Sequence, residues 1–415
     1  MSGKTELCLF DEPLPQLVVQ GAAFVDISPQ TVLTDANSKI EFTIHENKTE
    51  YLDLNDSTLY LRYLVKASEG NKALAESSVV TPVNYLMNAI FSDVTLSLND
   101  TIIEGGNQMY SYKSTIETIF GFNREAKKVK LRTIGYDNDA DNRKKWIAKS
   151  QVAELVGPLR LDFFNQPRYL LPGVTVKLSF TRNRDTFALS GGGSEASKLI
   201  LLDAKLYVRR VRVAPEVMLA HEKGLMNKNA IYPYTRGQVI SYSIPKGSLS
   251  SYRDNLFSAS LLPKFVIVGF VKSVGFIGDD LSAAPFDFDH FNVNSVGLYR
   301  DGLSMPFRDI YQPGFGKTPL LVMKDYHRSM IHNTQHLNTN MNNGIRLEDF
   351  ESGKYTLFTF NLTPDFDMTQ NQLPRDGNLR LEVKFGKELE LQLCTLMKFI
   401  AWLKTLYLAS LVFFH

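Results

Sequence analysis

The sequence predicts an all-β protein built from two similar units, and three observations carry that prediction. Apolar and polar residues mostly alternate at period two. Helical stretches are few and short. Pieces of strand and turn recur about 200 residues apart. The length of 415 residues is too great for one ordinary compact core. A content of 44% hydrophobic and 22% charged residues excludes a disordered or collagen-like chain. Phe (27) and Tyr (18) are abundant, as suits pleated, half-buried surfaces.

Along the chain, residues 1–15 read as an N-terminal arm. Glu6, Asp11 and Glu12 interrupt it, so no secretory signal is expected. The apolar run Leu17 to Val25 has strand length. Ile40–Ile44, Leu59–Lys66 and Val94–Asn99 alternate apolar and polar, the pattern of antiparallel strands with one face on a core. Leu159–Phe163, Val174–Phe180, Ala204–Val213, Phe265–Val271, Tyr355–Phe360 and Leu379–Phe385 do the same. Asn99-Asp100, Pro172-Gly173, Asp301-Gly302 and Asp376-Gly377 punctuate them as turns. Tyr110–Phe120 and Pro215–Leu225 are the best helices, the second with Pro at a plausible first-turn position. Long loops are expected over 121–150, 186–197 and 312–345. Many strands and rare helices favour sandwiches or jelly rolls over an α/β enzyme.

The repeat is weak but recurrent. Leu159–Asn165, Leu171-Pro172-Gly173 and Val174–Phe180 are echoed by Leu357–Asn361, Leu373-Pro374 and Leu379–Phe385. Val94–Asp100 is echoed by Val296–Gly302. These echoes divide the chain into units of residues 16–213 and 214–399.

Chemical motifs fail on inspection. Gly314-Phe315-Gly316-Lys317-Thr318 has Tyr311 where a phosphate-binding loop needs its first Gly, and Pro319 follows it, so it reads as a turn. His327, His332 and His336 lack the glutamate of a metalloprotease helix and run into a polar loop. Asp137-Asn138-Asp139-Ala140-Asp141 starts like a calcium loop but has Asn142 and Ala148 where Gly and Glu belong. Asp279-Asp280 and Asp287 with Asp289 have no assignable acid and base roles. There is no G-x-S-x-G elbow. No residue is assigned as catalytic, cofactor-binding or metal-binding, and neither a cofactor nor a small-molecule substrate is expected.

Cys8 and Cys394 suggest no disulfide framework, and synthesis in a reducing, intracellular setting follows. The sequons at Asn47, Asn55, Asn99 and Asn361 then read as chance matches. Lys+Arg 46 against Asp+Glu 44 leaves no global pull toward nucleic acid or anionic membrane. Basic clusters at Lys127–Arg132, Arg143–Lys145 and Arg209–Arg212 read as solvated faces, the first and third alternating charged with apolar residues as one exposed sheet face would. Lining one surface, they would make non-specific contact with a polyanion such as packaged DNA.

Ile40–Asn55 with Tyr60–Tyr63 resembles the first sheet segments of major capsid proteins of Polinton (Maverick) elements and adintoviruses. Val83–Met87, Ile90–Val94, Leu98-Asn99 and Tyr110–Lys113 are similar to the same family, as are Tyr232-Pro233-Tyr234 and Leu262-Pro263-Lys264. The most distinctive match is Ala284–Asn294, ending in Tyr299–Gly302. The likeness is a spread of short matches over residues 16 to 390. It implies a double jelly roll, hexon-like: two consecutive eight-stranded antiparallel β-sandwich domains with few short helices. It implies a structural role as a homotrimer, three chains giving six barrels in a pseudo-hexameric capsomer. Implied partners are neighbouring capsomers, a penton protein and minor capsid proteins. The implied location is the virion capsid, after synthesis in the host cytoplasm and assembly in the cytoplasm or nucleus.

The C-terminus departs from this pattern. Residues 400–415 are nearly all apolar and unbroken by Gly or Pro. They read as an atypical tail from a frameshift in a decaying integrated copy. The alternative is a helix packed on a partner or membrane, against which Lys398 and Lys404 count. Two rival functions remain: a double jelly-roll glycan hydrolase, which needs convergent carboxylates in a cleft, and a tandem carbohydrate-binding protein, which needs an aromatic platform.

Overall fold

The computed structural model describes residues 17–33, 39–76, 78–191, 197–256, 262–306, 309–315, 319–331, 344–364 and 375–408. Up to residue 213 the strands are β1 (Val19–Ile27), β2 (Ile40–Ile44), β3 (Tyr51–Ala67), β4 (Thr81–Pro82), β5 (Phe91–Leu98), β6 (Thr101–Glu104), β7 (Ala153–Pro158), β8 (Val176–Arg182), β9 (Leu189–Ser190) and β10 (Ser197–Val213). From residue 230 they are β11 (Ala230–Ile244), β12 (Ser250–Arg253), β13 (Phe265–Lys272), β14 (Val293–Arg300), β15 (Leu303–Met305), β16 (Leu357–Asn361), β17 (Leu379–Phe385) and β18 (Leu393–Leu408).

The first half forms sheets β1-β10-β3-β7 and β2-β8-β5-β6, with β4-β9 as a separate short pair. The second forms β11-β18-β13-β16 and β12-β17-β14-β15. Setting the short pair aside leaves eight strands in each half among the described residues. Counted along the chain, both halves read 1-8-3-6 in one sheet and 2-7-4-5 in the other. The first and last strands of each half lie side by side, and among the described residues no sheet mixes strands of the two halves.

This order explains the sequence echoes. Val94–Asp100 and Val296–Gly302 cover the end of the fourth strand of each half, β5 and β14, and the turn after it. Both turns have two residues at positive φ, Asn99 (45°) with Asp100 (64°) and Asp301 (49°) with Gly302 (86°). That backbone matches the right-handed twist of the flanking strands, and Asn, Asp and Gly adopt it most readily. Val174–Phe180 and Leu379–Phe385 fall on the seventh strands, β8 and β17. The third echo is offset by one element: Leu357–Asn361 is β16, but Leu159–Asn165 is not a strand. Its side chains Leu159, Leu161 and Phe163 are buried as the alternation requires. Its backbone turns, with Phe164 N–H donating to Leu161 O at 3.1 Å and Asn165 N–H to the same oxygen at 3.2 Å.

Each half has its own aromatic centre. Phe180 meets Phe42 at 5.6 Å and Phe91 at 4.9 Å. Phe270 meets Phe358 at 6.4 Å and Phe385 at 6.1 Å. The two halves are covered differently. On β8 burial alternates, whereas β13 is buried from Phe265 to Val271 and β16 throughout. The outer side of β16 lies under the helix Met323–Ile331, where Thr359 Oγ1 donates to Ser329 O at 3.0 Å. A strand covered on both sides reads as a continuous apolar run, as Phe265–Val271 does.

The helix Pro215–Leu225 matches the expected range, with Pro215 in its first turn. The helix predicted over Tyr110–Phe120 spans Tyr110–Gly121. Three expectations are corrected. Residues 121–150 are not an open loop but carry the helices Arg124–Lys130 and Ala140–Ile147. Lys127–Arg132 is therefore helical, not a sheet face. Asn123 Oδ1 accepts from Ala126 N–H at 2.8 Å and caps a run of good helix formers. The apolar stretch after residue 399 is neither a helix nor a separate tail as far as Leu408. β18 continues past Ile400, paired with Gly237, and after a shift of register runs to Leu408, paired with Ala230, because β11 offers it an open edge. Residues 409–415 lie outside the described residues. Among the described residues no helix is long and apolar enough to cross a membrane. Of the other expected loops, 186–197 carries β9, and 312–345 carries the helix Met323–Ile331.

Candidate functional site

The motifs singled out in the sequence do not converge. Gly316–Thr318 of the Gly314–Thr318 turn lie outside the described residues, and Pro319–Val322 is a single 3-10 turn. His327 is exposed on the helix Met323–Ile331, while His332 and His336 lie outside the described residues. The acidic run at 137–141 serves the backbone. Asp137 Oδ1 accepts from Asp139 N–H at 2.9 Å, and Asp139 Oδ1 caps a helix by accepting from Asp141 N–H at 3.0 Å. Asp279 pairs with Arg184, and Asp280 accepts from Ser282. Asp289 Oδ1 accepts from Phe291 N–H at 3.3 Å, and burial raises the Asp287 carboxyl. Among the described residues no group of three or more His, Cys, Asp or Glu is arranged to hold a metal ion. Cys394 is buried and unpaired; Cys8 lies outside the described residues.

The cationic stripe on β10 is matched by acids of the neighbouring strand region. Arg209 Nη1 lies 2.7 Å from both Asp53 Oδ2 and Asp56 Oδ2. Glu50 takes Arg212 at 3.3 Å and Arg210 at 3.6 Å. Arg143 donates to Pro82 O at 2.9 Å and to Asp137 O. The clusters at 143 and 209 are thus partly satisfied within the chain.

What the fold does bring together is a junction between the halves. Tyr112 and Phe187 from the first half meet Phe276 and Phe286 from the second. Tyr112 stacks on Phe276 at 5.4 Å and stands edge-on to Phe286 at 5.5 Å and Phe187 at 5.8 Å. Its hydroxyl, placed in an apolar box, donates to Pro285 O at 3.1 Å. Elsewhere along the junction Phe163 packs on Tyr234 at 5.6 Å, and Gly191 N–H donates to Leu281 O at 2.9 Å.

Beside the aromatic box runs a buried charge network. Lys113, on the helix Tyr110–Gly121, pairs with Glu104 and, at 2.8 Å, with Asp162 Oδ1. Glu104 also accepts from the backbone N–H groups of Asp162 and Phe163. Asp162 Oδ2 crosses to the second half, accepting from Gly237 N–H at 2.8 Å. Lys398 on β18 crosses the other way, to Glu117 Oε1 at 2.8 Å and Lys113 O at 3.4 Å. Burial works against every charge here. At Lys113 the carboxylates of Glu104, Asp162 and Glu117 overcome it and hold the ammonium above its ordinary value. At Asp162 burial wins against Lys113 and pushes the carboxyl up to about 7. At Lys398 burial also wins over Glu117 and lowers the ammonium. Glu117 resists burial because Lys398 and Lys113 both act on it, and its pKa is lowered. The opposite outcomes at the two ends of one ion pair follow the surrounding charges: Lys398, Lys113 and Arg160 all favour the Glu117 carboxylate, whereas Lys113 opposes Glu117 at the Lys398 ammonium.

A cleft of about 440 Å³ opens over this network, with Glu117, Asp162, Tyr234 and Lys398 in its lining. Two acids in a cleft, one titrating near neutrality, have the outline of a catalytic pair. Their geometry is that of structural ion pairs: each carboxylate already holds an ammonium at 2.8 Å. Such pairs add little net stability against an apolar replacement, but removing one partner strands a buried charge. Sequence reading missed all of it, since Lys113, Glu117 and Lys398 carry no motif. The available signal was a pair of charged residues within a mostly apolar closing strand, Lys398 and Lys404.

No family model matches the sequence. A curated protein of Caenorhabditis elegans, the uncharacterized protein F54H12.2, is 23% identical over 394 residues, 91% of this chain and 92% of that one. Among solved structures, a chain of the Sputnik virophage is similar with a TM-score of 0.61 at 10% identity, covering 98% of this chain and 91% of the other. A chain of the PBCV-1 virus capsid is similar with a TM-score of 0.59 at 11% identity, covering 97% of both. The mavirus major capsid protein is similar with a TM-score of 0.52 at 10% identity, covering 92% and 88%. The fold is a double jelly roll. The expected all-β class stands, with the 1-8-3-6 and 2-7-4-5 order as the jelly roll of each half. At these identities the likeness establishes that architecture.

Proposed function

We propose that the chain is a structural major capsid protein of a virus-like DNA element of the Polinton/adintovirus kind. Three copies associate into a pseudo-hexameric capsomer that tiles an icosahedral shell, with penton and minor capsid proteins as partners. The units of the tile are residues 16–213 and 214 onward, the second extending through β18. The observation that carries this reading is the duplication: two eight-stranded units of identical strand order, locked side by side by the aromatic box and the charge network. A shell plate needs that rigidity between its barrels, whereas a hydrolase or a carbohydrate-binding tandem does not. The role is assembly by burial of surface between copies, not catalysis. Non-specific contact with packaged DNA falls on the exposed Lys128, Lys130 and Arg132 and weakens with salt.

Size-exclusion chromatography with light scattering tests the reading. A species near three times 46.9 kDa, giving hexagonal plates in negative stain, is expected. A monomer at all concentrations refutes the capsomer and restores the rival functions.

A further inference from the structure

The first strand of the second half, β11, is seated on the first half. Its Tyr232 and Tyr234 are buried, with Phe163 at 5.8 and 5.6 Å. Its Gly237 passes the helix Tyr110–Gly121 so closely that a Cβ there would lie 3.3 Å from both Glu117 Oε1 and Lys113 Cε. That helix is covered on nearly every side: Tyr110 to Ile116 are all buried. The matching strand of the first half has no such cover. β1 holds the same place, first strand and sheet edge, yet none of its residues is buried and Gln20 to Asp26 are all exposed. Phe24 is 61% exposed. Natural proteins blunt an open sheet edge with charge or Pro. Gly21 to Val25 carry neither, and the one charge of β1, Asp26, is tied to Lys205 at 3.2 Å. The matching helix of the second half is bare as well. Met323–Ile331 follows the β14-β15 hairpin as Tyr110–Gly121 follows β5-β6. Its Asp325 and Ser329 are buried in its own half, but Met323 is 45% exposed and Leu321, in the turn before it, 54%.

We propose that β1 of one copy seats against the Met323–Ile331 helix side of a second copy, repeating between chains the seat that β11 takes on the helix Tyr110–Gly121 within one chain. The inference rests on the capsomer reading and adds which two surfaces form the seam. Each surface is apolar, and each is the counterpart of one that the junction inside the chain already covers. The contact is head to tail: one copy gives its first half, the next its second. Every copy carries both surfaces, so the contact propagates from chain to chain and forms a ring where the rotation closes. Pairing of β1 with a second β1 would be isologous, would stop at two copies and would leave Leu321 and Met323 bare.

Three full-length variants test the seam by light scattering across a concentration series. Phe24→Asp and Met323→Asp each place a carboxylate on one of its two sides. Val129→Asp is the control, at a position 74% exposed on the helix Arg124–Lys130. A carboxylate buried without a partner is costly, so F24D and M323D should each raise the concentration of half-assembly at least about tenfold, while V129D assembles as wild type. Mixing then reads the direction of the contact. F24D keeps an intact helix side and M323D an intact β1, so an equal mixture can form one seam and no more. A species near twice 46.9 kDa is expected in the mixture at concentrations where each variant alone is monomeric. Its appearance also shows that both chains are folded, which circular dichroism of each variant verifies independently. F24D or M323D assembling as wild type, V129D as disruptive as either, or a mixture holding only monomer overturns the proposed seam and leaves the capsomer reading standing. A wild-type chain that is monomeric at all concentrations overturns both.

Discussion

Replacing Lys398 by methionine (K398M) tests the logic of the junction most directly. The side chain is 2% exposed, and its ammonium is 2.8 Å from Glu117. Methionine fills much of the same space but leaves Glu117 without that partner. Removing one member of a buried ion pair costs about 3–5 kcal/mol, because the stranded charge keeps its desolvation penalty. A kcal/mol moves the midpoint of a unit of 150–250 residues by about 2–4 °C, so a drop of roughly 6–20 °C is expected at neutral pH. Adding Glu117→Leu removes the stranded charge, and the double variant recovers most of the loss. The pH dependence has a definite sign. Pairing lowers the Glu117 pKa in the folded state, so its contribution is present above the ordinary value of 4.5 and is lost as pH falls through the lowered one. The gap between wild type and K398M therefore narrows in acid. Reversible urea unfolding supplies the free energies and scanning calorimetry the midpoints. A K398M cost below about 1 kcal/mol, or a double variant no better than the single, refutes the reasoning.

Asp162→Asn acts in the opposite pH direction. Burial raises the Asp162 pKa from 3.8 to about 7, so its contribution is full below 3.8 and is lost as pH rises through 7. The midpoint of D162N relative to wild type should rise between pH 4 and 8, and a flat difference would count against the burial argument. Tyr112→Ala empties the aromatic box at roughly 3–5 kcal/mol, and calorimetry should resolve two transitions where wild type shows closer coupling of the halves. Gly269→Ala on β13 would place its Cβ 2.6 Å from Leu357 Cδ2 and 2.9 Å from Phe288 Cδ1, costing about 1–3 kcal/mol in denaturant unfolding. Gly302→Val forces a β-branched residue to φ +86° in the turn between β14 and β15, at about 1–2 kcal/mol by the same assay.

Some of this was legible because it is local. Ile40–Ile44 and Leu379–Phe385 coincide with β2 and β17, since one wet face and one buried face impose period two. The Asn99-Asp100 and Asp301-Gly302 turns were legible because few residues tolerate positive φ. The misreadings have one cause. Leu159–Phe163 has a strand's alternation, but Asp162 is drawn into the Lys113 network and the backbone turns there. Lys127–Arg132 alternates as well, yet the Asn123 cap and a helix-forming run win. β12 and β7 have little pattern of their own and exist as strands because a neighbour supplies the edge.

The amino-acid order alone determined the all-β class, the doubling of a unit near 200 residues and two of the hairpin turns, because periodicity and φ preference act between residues a few positions apart. Only the tertiary structure decided that the apolar end of the chain closes a sheet, and that Lys113, Glu117, Asp162 and Lys398 meet at the junction. Those partners lie up to 285 residues apart. A buried charge is bearable only where the fold delivers its counter-charge, and no stretch of sequence carries that information by itself.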